Sequence, residues 1–158
     1  MIAEAPFFFS IAALSASLAG LAGLVAGLRR GTDMPREDLF RLREIVEFCF
    51  ANVVIAISTI PLAVALGTVK EAVRVGAVVA LLYLAAAIAL LWRRQKRFGV
   101  RPSWGWYSAV IALNLVVVLA GLTTVALGTI ASFEATLVVL LARPMVAFLL
   151  VLQSFEAR

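Results

Sequence analysis

Residues 136–152 read TLVVLLARPMVAFLLVL. The run is apolar enough to sit in a bilayer, yet Arg143 falls at its middle and Pro144 follows at once. On membrane-insertion scales a central Arg costs about 2.5–3.5 kcal/mol, while each Leu, Val or Phe returns about 0.3–0.6 kcal/mol. The remaining residues of 134–153 therefore carry Arg143 into a membrane, provided its side chain meets protein, a water-filled cavity or a carboxylate rather than lipid.

The rest of the chain has the same character. Of 158 residues, 64% are hydrophobic and only 15% are charged, with a mean hydropathy of +1.08. Soluble domains run near 45–50% apolar, so this chain lacks the polar residues to cover itself in water. Five runs are long enough to span a bilayer, which takes about 20 apolar residues. They are 6–28, 45–66, 72–92, 105–127 and 134–153. The expected fold is an all-α integral membrane protein, with residues 1–158 forming a single membrane domain. The N-terminal run has no basic leader and Glu4 is its only charge, so it reads as a retained span rather than a signal peptide.

Orientation follows from Lys and Arg in the loops. Loop 29–44 carries Arg29, Arg30, Arg36, Arg41 and Arg43; loop 93–101 carries Arg93, Arg94, Lys96, Arg97 and Arg101; Arg158 lies on the same side. Lys70 and Arg74 alone lie opposite. Eleven cations against two place the N-terminus outside and the C-terminus in the cytoplasm, as in a bacterial-type cytoplasmic membrane. Trp92, Trp104, Trp106 and Tyr107 fall at the predicted cytoplasmic edge, where an aromatic belt belongs. The second helix is expected to begin before its span, with Asp33 as cap, Pro35 in the first turn, and Glu37 and Asp38 complementing the dipole. Glu37 and Arg41 stand at i, i+4.

The net charge of +5 is explained by these loops. No nucleic-acid partner is expected; contact of the Arg clusters with anionic lipid head groups is. The absence of His and the single Cys49 leave no metal cluster, axial haem ligand or disulfide, so no cofactor is expected. No nucleophile elbow, P-loop or HExxH motif occurs, and the chain is not expected to be an enzyme.

VALGT occurs at 64–68 and again at 125–129, each time ending one span and preceding another. At that offset 69–91 aligns without a gap to 130–152. The pattern suggests a duplicated helical hairpin, spans two and three and then four and five, with parallel copies.

Depth arithmetic offers company for Arg143. It lies about ten residues from its cytoplasmic end, or roughly 15 Å. Asn114 in span four sits at similar depth, and Asn52 in span two lies roughly 12 Å in. Glu47 is shallower but within reach of an extended Arg. One reading makes Arg143, Asn114, Asn52 and Glu47 a polar site or pathway favouring an anion. The other makes them polar glue between helices, with Arg143 paired to Glu47; alternatively Glu47 pairs with Arg43 one turn back. Pro144 and Pro61 remove backbone donors and free the carbonyls of Leu140 and Ile57, as a kink or gate would; Ser58 and Thr59 are placed to help at Pro61. Small residues form ridges on span one, Ala12, Ala16 and Gly20 beside Ser15, Ala19, Gly23 and Gly27, suited to close helix packing. Glu71 and Glu134 belong at outer helix N-termini.

Two functions are compatible with these features. The first is a small homo-oligomeric channel or transporter with an anion-favouring site around the buried arginine. The second is a non-conducting membrane partner, a regulatory or assembly subunit held by helix–helix packing.

Overall fold

The computed structural model describes the backbone of residues 5–28, 36–98 and 104–156, and the side chains of 5–28, 38–95 and 108–153. Asp33, Pro35, the side chain of Glu37 and the rings of Trp104, Trp106 and Tyr107 lie outside the described residues, and the roles expected of them with it. Five α-helices follow in order: α1 Ala5–Leu28, α2 Arg36–Leu66, α3 Val69–Phe98, α4 Trp104–Leu127 and α5 Ile130–Glu156. All five are long and apolar enough to cross a membrane. They contain the five apolar runs read from the sequence, and α2 begins well before the second run. Arg41 reaches Asp38 at 3.5 Å within the first turns of α2.

The two tight connections are built alike. α2 stops at Leu66 and α4 at Leu127; Gly67 and Gly128 follow with φ of 69° and 65°. This left-handed conformation terminates a helix, and only Gly adopts it without a Cβ penalty. The Gly128 amide donates to the Thr124 carbonyl at 2.7 Å, closing the last turn of α4. The next helix then starts on a threonine: the Ala72 amide donates to the Thr68 carbonyl and the Phe133 amide to the Thr129 carbonyl, each at 3.3 Å. A helix–Gly–Thr–helix junction therefore recurs at the offset of the VALGT pair.

α5 is the hub of the bundle and packs against each of the other four helices; α1 lies mainly along α2. Two apolar clusters fill the interior. One, toward the Gly–Thr junctions, gathers Phe8, Val73, Ala77, Val117, Phe133 and Leu137. The other, toward the opposite, basic end, gathers Ala19, Leu42, Ile45, Cys49, Ala147 and Val151. The outer surface is apolar too: Leu14, Leu21, Phe50, Leu82, Leu119 and Leu149 are each more than half exposed. In a membrane that surface meets lipid, and helices satisfy their own backbone groups there.

Hydroxyls handle much of the polar burden. Ser15 Oγ donates to the Ile11 carbonyl and Thr59 Oγ1 to the Ile55 carbonyl, both at 2.8 Å; Ser58 Oγ donates to the Val54 carbonyl. The help expected at Pro61 thus goes one turn earlier, to Val54 and Ile55 rather than Ile57, because a hydroxyl on a helix reaches its own i−4 carbonyl. Helix continues through both Pro61 and Pro144.

Candidate functional site

The polar centre lies between the two apolar clusters, and helical phase decides its membership. Glu44, Phe48 and Asn52 recur every four residues and so share one face of α2; all three are buried. Glu47, three residues past Glu44, is rotated to the side and faces α3.

Arg143 of α5 reaches Glu44, not Glu47. Its Nη2 donates to Glu44 Oε1 at 2.5 Å, and the two side chains are 3% and 9% exposed. The guanidinium carbon also lies 3.6 Å from the centroid of the Phe48 ring, a cation–π contact that supports one face of the cation. Glu47, shallower in the sequence reading but within reach of an extended Arg, is not the partner of Arg143. The α-helical turn overrules depth, because Glu44 points into the bundle and the length of an Arg side chain covers the extra turn.

Glu47 is engaged elsewhere. Arg94 of α3 donates through Nη1 to Glu47 Oε1 at 3.0 Å and Oε2 at 2.9 Å, and Arg43 Nε donates to Oε1 at 2.9 Å. The pair with Arg43, one turn back on the same helix, is the one considered from spacing; Arg94 is the addition. Tyr83 of α3 donates its hydroxyl to the Glu47 backbone carbonyl at 3.0 Å. This cluster closes one end of an apolar groove of about 610 Å³ between α2 and α3, lined by Phe50, Val54, Val79 and Leu90 among others.

The asparagines separate. Asn52 donates from Nδ2 to Ser15 Oγ at 3.1 Å and to the Leu137 carbonyl at 3.5 Å, tying α2 to α1 and α5. It acts as interhelical glue in the sense expected of a polar residue among apolar helices. Thr124 and Thr136 do the same between α4 and α5, with hydroxyls 3.0 Å apart. Asn114 is the residue that does converge with Arg143. Both line a cavity of about 120 Å³ together with Glu44, Gln95 and Trp92.

The expected ridge on α1 divides. Ala12, Ser15 and Ala19 are buried within the bundle. Nothing lies within 4 Å of the position where a Cβ on Gly20, Gly23 or Gly27 would stand, so these glycines point away from it. At the Gly–Thr end, Arg74 pairs with Glu71 at 3.1 Å and donates from Nη2 to the Ala126 carbonyl at 3.3 Å, placing a cation at the C-terminus of α4.

Glu44, Phe48 and Arg94 were missed by depth reasoning. The signal that finds the first two is the four-residue spacing of Glu44, Phe48 and Asn52, which identifies the buried stripe of α2 before any partner is sought. No protein-family model, curated protein or solved structure matches the chain.

Proposed function

We propose that this chain is a non-conducting membrane partner, a small regulatory or assembly subunit lying in a cytoplasmic-type membrane with its basic end toward the cytoplasm. The supporting observation is the Glu44–Arg143 pair. The cation around which an anion path would run is answered by a carboxylate of the same chain at 2.5 Å and backed by an aromatic ring. Toward the Gly–Thr end the interior is occupied by Phe8, Phe133, Leu137 and their neighbours. A permanent charge neutralised and enclosed in this way serves as a clasp between α2 and α5.

Under this reading the outward glycines of α1 carry the contact with the partner, either a second copy of the chain or a different membrane protein. The basic ends hold anionic lipid head groups. The two Gly–Thr junctions support reading α2–α3 and α4–α5 as copies of one hairpin.

A second reading, a small transporter for an anionic solute, is favoured by a separate observation. Two guanidinium nitrogens of Arg143 and the side-chain oxygen of Asn114 are buried without hydrogen-bond partners, and both residues border the same cavity. Anion flux into proteoliposomes containing the purified protein discriminates the two. The first reading expects no flux above protein-free vesicles under any gradient or voltage; flux abolished by Arg143→Ala would overturn it. Disulfide trapping from Gly23→Cys in membranes then reports whether α1 meets its own copy.

A further inference from the structure

The cavity beside the ion pair is furnished as a binding site. Arg143 is 3% exposed, yet of its three nitrogens only Nη2 has a hydrogen-bond partner; Nε and Nη1 have none. Asn114 Oδ1 is also buried and accepts nothing. Buried polar groups are normally satisfied, and those that are not call for an occupant with matching chemistry. Both side chains line the cavity of about 120 Å³, with Glu44 beside them. One water needs about 10–15 Å³ of such space, so there is room for a solute of several heavy atoms.

The remaining wall identifies the class of solute. Ile88, Leu91, Val110 and Ile111 contribute hydrocarbon, enough to receive a short alkyl tail. Ile88, Trp92 and Ile111 are also exposed on the outer surface of α3 and α4, so the cavity borders the lipid side, where a neutral molecule can enter. The polar wall already balances its own charge, one guanidinium against one carboxylate. An anion entering alone would leave a net negative charge in the membrane, which is costly. An anion entering with a proton would not.

We propose that this cavity binds a short-chain monocarboxylic acid as a carboxylate together with its proton. The O–H bond of the acid breaks and an O–H bond forms on Glu44. The ligand carboxylate accepts from the unpartnered Nε and Nη1 of Arg143, and the protonated Glu44 donates its hydrogen bond to the unpartnered Asn114 Oδ1 across the cavity that all three residues line. The charge of the site is unchanged. The charged groups around Glu44 are Arg143 from α5, Arg41 and Glu47 on its own helix, and Arg94 from α3, which is held by Glu47. Tyr83 of α3 donates to the Glu47 backbone. The described side chains of α1 and α4 bring no titratable group. This binding depends on neither account of flux, since it requires only that the cavity be reached from one side.

Titration calorimetry of butyrate into the purified full-length protein, in buffers of different ionisation heat, tests the proposal. Binding is expected with uptake of one proton per butyrate, and with affinity falling about tenfold per pH unit above neutrality. Glu44→Gln keeps the side-chain volume and an acceptor for Arg143 but cannot take the proton. It should bind butyrate with no proton uptake and no pH slope. Asn114→Leu fills the cavity and should abolish binding while helical content is retained. Absence of butyrate binding at every pH, binding without proton uptake in the natural sequence, or an unchanged slope in Glu44→Gln would each overturn it.

Discussion

Glu44 and Glu47 stand three residues apart on α2 and live in different electrostatic worlds. Glu44 is 9% exposed and answers one cation from another helix. Glu47 is 39% exposed and shares two, Arg43 at 67% and Arg94 at 28%. The first pair is buried between α2 and α5, where bulk solvent does not stand in for a lost partner as it does at the surface. The second lies at the edge of the bundle, where solvent and head groups can. Both carboxylates are in direct contact with guanidinium groups, at 2.5 Å for Glu44 and 2.9 Å for Glu47; the larger difference lies in what remains when one member is removed.

That difference sets the largest expected effect. Glu44→Ala leaves Arg143 buried and unpaired and should destabilise the protein by about 3–5 kcal/mol. Glu47→Ala exposes its partners to water and should cost about 0.2–1 kcal/mol. Thermal unfolding in micelles followed by circular dichroism gives the ranking; equal losses would mean that Arg143 has another acceptor. Removing both members of the inner pair sharpens the point. In Glu44→Leu with Arg143→Leu no charge is stranded, and the double variant should be neutral to more stable by about 1–4 kcal/mol. A double variant as unstable as Glu44→Ala would assign the loss to packing rather than charge.

The Phe48 ring belongs to the inner region and adds a smaller term. Its cation–π contact with Arg143 is worth about 0.5–2 kcal/mol. The ring also meets Tyr83 edge-on at 5.3 Å between centroids, so Phe48→Leu alone would mix two losses. A cycle with Arg143→Met separates them. The coupling energy should fall in the cation–π range, and a value near zero would reduce the ring to apolar packing.

The five helices were legible because a span needs only length and hydropathy, and both are local properties. The early start of α2 was legible from its polar lead-in. The membership of the polar centre was legible in part. Arg143 and Asn114 lie at matching depth and do border one cavity. Asn52 also has a suitable depth, but its amide turns to Ser15 on α1, a helix with no charged residue to draw attention to it. In sequence Arg94 reads as a topogenic loop charge, whereas α3 continues to Phe98 and holds it beside Glu47. Depth is a one-dimensional coordinate. Which side chains meet also depends on rotation about each helix and on the order of helices around the bundle, and the second of these is a tertiary property.

The outer cluster yields the smallest and most condition-dependent effect. Arg43 and Glu47 are one turn apart on the same helix, and such pairs contribute about 0.3–0.5 kcal/mol. Arg94 reaches the same carboxylate from α3 with contacts to both oxygens, so its loss also loosens α3 from α2. Arg94→Met should therefore cost more than Arg43→Met, with both losses inside about 1 kcal/mol. Salt distinguishes this region from the inner one. At about 1 M salt the screening length is near 3 Å, and exposed pairs are largely screened. The penalties of Arg94→Met and Arg43→Met should shrink toward zero in unfolding measured at high salt, while that of Glu44→Ala persists because a pair this buried is screened far less than an exposed one. A Glu44→Ala penalty that faded with salt would place Arg143 in contact with bulk water and erase the distinction between the two carboxylates.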